Sequence, residues 1–519
     1  MFTEELWESW STQESNNYTI EKGENPYRKK GYTHFDHRFW FPDRKDELKT
    51  ILQNGLKVYK KSVDRTEFWS FNPFLKMLIK TPRYRYQESE GYYDLDTKVR
   101  PICFASHIDS LIFGFYSHCI TKEYEKYIKE HSFDECVLAY RSDLHLSNIQ
   151  FAKEVFEKVR SKGNCTAIAL DIKGYFDNID HNVLKDKWKK VLNLEELPND
   201  QFKIFKALTH YSYVSKESIY KTFKGKRKRE HKEPNTLLDL IPAGKDFEKY
   251  ALLREKKLIV TNNAINNQTK NPVGIPQGSA MSALLSNIYL IDYDKTMKEK
   301  AKAEGFIYRR YCDDILIICD TEKATALQTF AIEKISNDYH LTIQPKKVET
   351  IDFHFNSRNI IRAFKRDKKN LSITVVTNSS NEQKFYKSLQ YLGFEFNGQD
   401  IFIRSSSLSR YFRKMKARIV KTVSMAYSPK GKVDKIFQKQ IFERYSHKGE
   451  RNFISYAMKS AKEKYQNSKG DWREGMNSKA ITKQIAKHMT LIETTLRKKN
   501  EQRLNYKALR RKPVERKSL

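Results

Sequence analysis

Three aspartates in two separate segments carry the clearest chemical signal in this sequence. Asp313 and Asp314 are adjacent in a Tyr-Cys-Asp-Asp stretch, and Asp171 ends another apolar run. Neighbouring carboxylates repel each other, so such a pair between apolar segments is costly unless a cation binds there. Their oxygens suit Mg²⁺, and two ions about 3.5–4 Å apart can serve an in-line displacement at phosphorus. Taken alone, an Asp-Asp pair is more often an ordinary polar turn.

Short apolar segments are predicted to position these acids. Residues 166–172 form an apolar run with β-branched side chains, which predicts a buried strand next to Asp171. Residues 306–311 and 315–318 predict two strands of a hairpin with the acidic pair at its turn. Prolines and glycines at 272–278 predict a loop. The helix that follows this loop has one apolar face, formed by Leu284, Ile288 and Ile291.

The charge balance indicates a polyanionic partner. Among 519 residues, 97 Lys and Arg outnumber 64 Asp and Glu, which gives a formal net charge of +33. An excess this large opposes compaction unless an anion binds, and extended nucleic acid is the usual one. An anionic membrane is the alternative. No segment approaches the ~18–20 apolar residues that span a bilayer, and the acidic start of the chain is unlike a signal peptide.

The cysteines favour a reducing compartment. The six of them form no C-x-x-C pair and no zinc-like spacing, at positions 103, 119, 136, 165, 312 and 319. We therefore expect reduced thiols, most of them in the core, in a cytoplasmic protein. The missing pairs also argue against an appended zinc-bearing nuclease module.

Helical patterns dominate the flanking regions. The block from about residue 60 to about residue 165 is predicted to be largely helical, with one buried stripe at Ile108, Leu111, Ile112 and Phe115. Beyond residue 400, one helix carries an apolar stripe with basic residues off it: Leu408, Phe412, Met415 and Ile419. A second helix carries a longer stripe: Ile481, Ile485, Met489, Ile492 and Leu496. Residues 224–229 predict an exposed basic loop, and residues from 497 a mobile basic tail that orders on RNA or DNA.

Five segments together resemble the palm motifs of bacterial reverse transcriptases. They are residues 170–181 (LDIKGYFDNIDH), 274–282 (GIPQGSAMS), 311–314 (YCDD), 341–347 (LTIQPKK) and 391–394 (YLGF). They occur in the family's order, and Cys312 stands where Ala, Met or Val is commoner. Residues 98–102 (KVRPI) and 139–141 (AYR) resemble the family's fingers motifs.

The resemblance implies an α+β right-hand polymerase that acts as an RNA-directed DNA polymerase. Two Mg²⁺ ions, with Mn²⁺ as an alternative, would be held by Asp171, Asp313, Asp314 and the backbone carbonyl of Ile172. Lys347 matches the position proposed as the general acid for pyrophosphate release. The family's usual Thr after this lysine is replaced by Val348.

The same resemblance implies roles in binding the nucleotide and the primer. Phe176, five residues after Asp171, would pack under the incoming sugar and select dNTPs, and Gln277 and Gly278 would face the nucleotide. Arg100 and Arg141 are expected either to grip the triphosphate, since Arg makes forked contacts to phosphate, or to form structural ion pairs. The primer grip would comprise Leu392, Gly393 and Phe394.

The motifs divide the chain into predicted regions. We expect an N-terminal extension (1–60), fingers (61–165), a first palm segment (166–181), an insertion with a basic loop (182–270), the main palm (271–398), a helical thumb and C-terminal region (399–496) and a basic tail (497–519). The palm would be a small antiparallel sheet backed by helices.

Three further segments resemble the abortive-infection and defence-associated ("unknown group") reverse transcriptases of bacteria. They are residues 30–36 (KGYTHFD), 105–109 (ASHID) and 445–453 (YSHKGERNF). This resemblance implies antiphage defence, a non-coding RNA partner, an RNA template with a DNA product, and homo-oligomers. It also implies DNA synthesis without a conventional primer, for which Tyr506 could supply a priming hydroxyl; the alternative is that Tyr506 stacks on RNA or packs.

Other functions remain open from sequence alone. They are a retron- or intron-type reverse transcriptase, an RNA-templated RNA polymerase, and an RNA-binding scaffold with a decayed palm. Phe176 and the Pro-Gln-Gly segment speak against the RNA polymerase, and the presence of Asp171, Asp313 and Asp314 speaks against decay.

Overall fold

The structure is a computed structural model of the chain. It describes residues 2–17, 32–60, 64–87, 91–224, 234–356, 358–366, 386–428, 436–468 and 470–511. The predicted basic loop lies outside the described residues from position 225 onward.

The helices of the described part are α1 (Glu4–Asn17), α2 (Lys45–Gln53), α3 (His107–Glu130), α4 (Asn148–Lys162), α5 (His181–Val191), α6 (Asn199–Thr209), α7 (Lys216–Ile219), α8 (Asp246–Glu255), α9 (Ser282–Tyr289), α10 (Ile291–Glu304), α11 (Ala324–Tyr339), α12 (Ser405–Ala426), α13 (Lys439–Tyr445), α14 (Phe453–Ala461), α15 (Lys479–Ile485) and α16 (His488–Arg511).

The strands of the described part are β1 (Lys57–Lys60), β2 (Arg65–Phe68), β3 (Phe74–Gln87), β4 (Tyr92–Phe104), β5 (Cys165–Asp171), β6 (Ser212–Ser215), β7 (Ile259–Thr261), β8 (Ile307–Tyr311), β9 (Asp314–Cys319), β10 (Glu349–Phe355), β11 (Ile361–Lys365), β12 (Leu389–Tyr391), β13 (Phe394–Phe396), β14 (Ile401–Ile403), β15 (Lys464–Gln466) and β16 (Trp472–Glu474).

A five-stranded antiparallel sheet forms the palm, in the order β11-β10-β5-β9-β8. Successive side chains of a strand point to opposite faces of the sheet, and β5 carries apolar side chains on both of its faces. Cys165 and Ala167 face one core, which contains α4 and the small β12-β13-β14 sheet. Ile168 and Leu170 face the larger core, which contains α3, α9, α10 and α11. The predicted strand and acidic hairpin, and the right-hand α+β fold, are confirmed.

The fingers differ from the prediction. The stripe that begins at Ile108 is confirmed in α3, but β3 and β4 form a long antiparallel hairpin ahead of it. Polar and apolar residues alternate only in parts of β3 and β4, and the strong helical stripe of α3 obscured this weak period-two pattern. Strand β6 pairs parallel to the start of β3, and β7 pairs with β6, so the predicted insertion contributes two strands to this sheet.

The C-terminal helices also correct the prediction. The helix with the Leu408–Ile419 stripe is confirmed as α12, but the next stripe is divided between α15 and α16. Ile481 and Ile485 pack in the core beside the palm sheet, whereas Ile492 and Leu496 pack against α12. Because the chain breaks between the two helices, the two halves of this apolar stripe pack into different cores.

Part of the predicted mobile tail is helical. Helix α16 continues to Arg511, and its later turns are tied to the α12 region by two hydrogen bonds. The Tyr427 hydroxyl donates to Asn500 (2.5 Å), and Arg503 donates to Ser424 (2.9 Å). Residues 497–511 therefore extend the thumb, and residues 512–519 lie outside the described part.

The structure also bears on the expectations about the cysteines and about membrane-spanning helices. All six cysteines are buried and free of disulfides. Across the described residues, no helix is both long and apolar enough to cross a membrane.

Candidate active site

The β8–β9 turn and the end of β5 bring the three aspartates together. Asp171 is the direct partner of Asp314 in the antiparallel pairing of β5 with β9. Cys312 adopts a left-handed conformation (φ 58°), which reverses the chain between Tyr311 and Asp314. Asp313 at the turn therefore lies beside the same strand ends, as the sequence predicts.

A third segment fixes these strand ends through its backbone. The Asp171 carbonyl accepts from the Gln344 amide (2.8 Å), and the Lys173 amide donates to the Thr342 carbonyl (2.8 Å). The Ile172 amide donates to the Asp313 carbonyl (3.1 Å). The first, third and fourth palm motifs are thus joined by main-chain hydrogen bonds that do not depend on side-chain identity.

Burial and the repulsion between neighbouring carboxylates raise the pKa values of Asp313 and Asp314. Burial raises the pKa of Asp313, and the charge of Asp171 raises it further. The pKa of Asp314 rises to about 7, because protein crowding reduces its hydration and because Asp313 and Asp171 repel its negative charge. Lys347 and Arg404 oppose this rise. Lys347 also forms a direct ion pair with Asp171.

The donor set fits a divalent cation. Clustered carboxylates with raised pKa values gain most from a hard cation that removes their repulsion. Within the described residues, no three His, Cys, Asp or Glu side chains already have metal-binding geometry, and the cation that faces Asp171 is Lys347. Asp171, Asp313 and Asp314 would hold the metal, and Ile172 directly follows Asp171 at the end of β5.

A buried ion pair supports the acidic turn from below. Arg310 and Asp294 are both fully buried, and the guanidinium donates to both carboxylate oxygens, from Nε (2.7 Å) and from Nη2 (2.5 Å). Its Nη1 donates to the carbonyl of Cys312 (3.0 Å). Tyr308 adds a hydrogen bond to Asp294 (2.6 Å). The left-handed residue before Asp313 is therefore anchored to helix α10.

The predicted nucleotide-binding residues lie on segments joined by the backbone. The Ile275 amide donates to the Phe176 carbonyl (2.9 Å), and the Cys103 amide on β4 donates to the Gln277 carbonyl (2.8 Å). Arg100 lies three residues before Cys103 on the same strand and is half-buried. Phe176 is half-buried against the larger core, whereas Tyr175 is buried and its hydroxyl binds the Ser286 carbonyl.

Gly278 has a structural reason to be glycine. Its φ of 116° lies in the region that favours glycine, and an added Cβ would come within 2.8 Å of the Cys103 carbonyl oxygen. The close approach that glycine permits here is to strand β4. The sequence predicted that the backbone at Gly278 approaches the nucleotide. In the structure, this backbone approaches the Cys103 carbonyl on β4.

The contacts of Arg141 favour one of the two roles that the sequence left open. Its side chain is 1% exposed and lies between Glu125 and Asp143, at 2.6 and 2.9 Å from Nη2. The remaining donors bind Glu125 and the carbonyls of Asp134 and Val137. All of its donors are used inside the protein, so Arg141 has the structural ion-pair role and does not grip a triphosphate.

The predicted primer grip is the tight turn between β12 and β13. Leu392 and Gly393 both have positive φ. The Leu392 carbonyl accepts from Asn148 (2.9 Å), and the Gly393 carbonyl accepts from the Arg404 amide (3.0 Å). Phe394 is fully buried in the core. The exposed part of this motif is therefore its backbone turn.

The structure adds two residues that sequence reasoning missed. Tyr140 lies close enough to Cys312 and Asp313 for their charges to raise its pKa, after the larger effect of burial. Arg404, at the N-cap position of α12, carries a positive charge that lowers the pKa of Asp314. Tyr140 could have been found from the fingers motif that contains it, but nothing in the sequence around Arg404 marks it. Tyr506 lies half-exposed on α16.

The fold is that of a right-hand polymerase. Residues 237–396 match the family model described as reverse transcriptase (RNA-dependent DNA polymerase). The chain therefore carries a reverse transcriptase domain, that of an RNA-directed DNA polymerase. Reverse transcriptase domains generally use divalent metal ions. A comparison with curated proteins found no match.

Solved structures similar to the chain include fungal telomerases. Apo telomerase from Candida tropicalis is 13% identical with a TM-score of 0.35, covering 73% of this chain and 56% of its own. Telomerase from Candida albicans in complex with a TWJ fragment of telomeric RNA is 11% identical with a TM-score of 0.34, covering 90% and 61%. The chain spans about three fifths of these telomerase chains.

Removing one acid should stabilise the metal-free protein at neutral pH. The pKa of Asp314 is near 3.8 when unfolded and about 7 when folded, so folding becomes less favourable as pH rises through this window. Asp314→Asn should therefore raise the melting temperature at pH 8 in chelator, and the gain should vanish near pH 4. Added Mg²⁺ should narrow the difference.

Asp320→Asn is the matched control, because Asp320 follows the other end of β9 and its pKa is lowered by Lys162. This variant should not gain stability at pH 8. An equal gain in both variants would contradict the explanation by carboxylate repulsion.

Breaking the buried pair should separate stability from catalysis. Arg310→Met leaves Asp294 buried without its partner, which should cost about 3–5 kcal/mol in the free energy of unfolding. Adding Asp294→Asn should recover much of this stability. DNA synthesis should stay low in the double variant, because the contact to Cys312 is still missing. Denaturant unfolding and primer extension measure the two effects, and full recovery of synthesis would show that Arg310 does not position the turn.

Gly278→Ala should weaken nucleotide use. The added Cβ would force the loop away from β4 and shift Gln277, and a misplacement of about 1 Å can cost up to ~100-fold in rate. Gly305→Ala is the control, since Gly305 also has a positive φ (72°) but open space around its Cβ. Steady-state kinetics with dNTPs should show a large loss in kcat/KM for the first variant only.

Proposed function

We propose that this protein is an RNA-templated DNA polymerase that works by two-metal nucleotidyl transfer in bacterial antiphage defence. The observation that carries the polymerase assignment is the pairing of Asp171 with Asp314 beside Asp313. Asp313 and Asp314 lie within the residues that match the family model, and Asp171 lies before them in the chain. The defence role rests on the flanking segments.

The reaction joins a 3′-hydroxyl to the α-phosphorus of a dNTP and releases pyrophosphate. Divalent cations bound by Asp171, Asp313, Asp314 and the Ile172 carbonyl would stabilise the attacking and leaving oxygens. Lys347, which forms an ion pair with Asp171, would give a proton to the leaving pyrophosphate after it leaves that pair. Arg100, Gln277 and Gly278 would contact the nucleotide, and the turn at Leu392, Gly393 and Phe394 would hold the primer end.

The thumb supplies a grip on the duplex. Helix α12 carries basic residues and no acidic residue: Arg410, Arg413, Lys414, Lys416, Arg418 and Lys421. Its apolar stripe is buried against α16, so the cations lie on the remaining surface of the helix. Contacts of this kind bind phosphates without reading sequence and weaken with salt. RNA template, DNA product and dNTPs are the partners that this arrangement suits.

Sugar selection should depend on Phe176. If its ring occupies the space of a 2′-hydroxyl, Phe176→Ala should admit NTPs and lower the dNTP-to-NTP ratio of kcat/KM by about tenfold or more. Tyr175→Phe is the matched control, because Tyr175 is buried and loses only a hydrogen bond to Ser286. An unchanged ratio in Phe176→Ala would assign sugar selection to another residue.

Two of the three defence-type segments meet in the structure. Asp36 accepts from the His107 ring (2.7 Å) and from the Ile108 amide (3.1 Å), and the Tyr32 hydroxyl donates to the Ala105 carbonyl (2.9 Å). The third segment forms its own turn, in which Asn452 donates to the Ser446 and Gly449 carbonyls. These residues support the fingers and thumb. The resemblance therefore concerns architecture outside the palm.

A defence polymerase should carry a dedicated non-coding RNA in the cytoplasm, in a homo-oligomer. Sequencing of the nucleic acids that co-purify with the protein should recover one dominant RNA and its complementary DNA. Asp313→Ala should abolish both the DNA and protection in a phage plaque assay. Protection without synthesis would favour an RNA-binding scaffold. A DNA copy of a mobile intron would favour an intron-type enzyme, and a branched RNA–DNA product would favour a retron-type enzyme.

Protein priming at Tyr506 is a separate expectation. The residue lies half-exposed on α16. Intact-mass measurement after dNTP incubation should show nucleotides attached to the wild type and lost in Tyr506→Phe. Tyr59→Phe, another exposed tyrosine, is the control. Undiminished attachment in Tyr506→Phe would leave Tyr506 a packing or stacking role.

A further inference from the structure

A second basic site lies outside the acidic cluster. A cavity of about 170 Å³ opens between α4, α10 and β8, and its wall includes Lys158, Lys298, Lys302 and Arg309. It is large enough for several water molecules or for one small anion. None of the three aspartates lines it.

The charges around this cavity are unbalanced. Its four cations face two carboxylates, Glu135 in the wall and Glu154 beside Arg309. Lys298 pairs with Glu135, and Lys158 lies 3.6 Å from Glu154. Lys302 is exposed, and no ion pair of Lys302 is found in the described part of the chain. An anion with two negative charges would complete the balance.

Arg309 gives the cavity a buried donor. The residue is 5% exposed, with Nη2 donating to Glu154 (2.7 Å) and Nη1 to the Tyr308 carbonyl (2.9 Å). Its Nε is buried and has no hydrogen-bond partner among the described residues. A buried donor without an acceptor is unfavourable, so the hydrogen bonding of the Arg309 guanidinium is incomplete within the described residues.

We propose that this cavity binds a phosphoryl group. A phosphate dianion matches the charge excess, and its oxygens can accept from a guanidinium edge and from lysine ammonium groups together. A free phosphate and a terminal phosphate of a nucleic acid share this chemistry. Arg309 directly precedes Arg310, which holds the catalytic turn, so an occupied cavity would brace β8 on its other side. This inference does not depend on the polymerase assignment.

Titration calorimetry of the full chain with sodium phosphate tests the proposal. Chelator keeps divalent ions away from the aspartates, and sodium chloride at equal ionic strength serves as the blank. The wild type should bind one phosphate. Lys158→Gln with Lys302→Gln should weaken binding by about tenfold or more, since two phosphate contacts are removed.

Lys300→Gln with Lys334→Gln is the matched control, because it removes the same charge outside the cavity. It should bind phosphate like the wild type. Equal weakening in both double variants, or no binding by the wild type at about 10 mM phosphate, would overturn the proposal.

Two oligonucleotides distinguish the sources of the phosphate. If a 5′-phosphorylated strand binds more tightly than its 5′-hydroxyl counterpart, and Lys158→Gln with Lys302→Gln removes the preference, the site takes a nucleic-acid end. If the two strands bind equally while inorganic phosphate still binds in a lysine-dependent way, the site takes a small phosphate.

Discussion

Three carboxylates that repel one another must be held within one site, and much of the palm is organised around that constraint. Asp171 and Asp314 are cross-strand partners, so they cannot separate without breaking the sheet. Asp313 is held by the turn. The raised pKa values of Asp313 and Asp314 show that keeping these buried, neighbouring carboxylates ionised is unfavourable. A cation is the natural remedy. In the structure, Lys347 supplies it for Asp171.

The support for this cluster comes from burial on both sides of the sheet. Alternate residues of β5 pack into two different cores, which fixes the strand in position. Beneath the turn, the Arg310–Asp294 pair is fully buried and hydrogen-bonded, so removing one partner would leave an uncompensated charge. Backbone hydrogen bonds join the fingers to the site, among them the one from Cys103 to Gln277, whose close approach Gly278 permits.

The sequence predicted the parts of this arrangement that depend on local pattern. An apolar run followed by Asp171, and two apolar runs around Asp313-Asp314, have few other solutions than strands with acids at their ends. The stripe of α12 was equally clear. These features include the residues expected to bind the metal and the basic surface of the thumb.

The misjudged features depend on neighbours that are distant in sequence. Arg141 was open between two roles, and Glu125 on α3 decides for the structural one. The β3–β4 hairpin was hidden by a stronger helical signal that follows it. The break between α15 and α16 arises because one stripe packs against two cores, which periodicity alone does not reveal. Arg404 gains its influence on Asp314 only because β13 and β14 return the chain to the site.

The central claim is that the acidic cluster performs templated DNA synthesis with divalent cations. Primer extension on an RNA template, with Mg²⁺ varied for the wild type and for Asp313→Asn, tests it most directly. The account predicts Mg²⁺-dependent dNTP incorporation by the wild type and a loss of about 100- to 1,000-fold in the variant, a size typical of removing one charge-stabilising group. Incorporation at the wild-type rate by Asp313→Asn would contradict it.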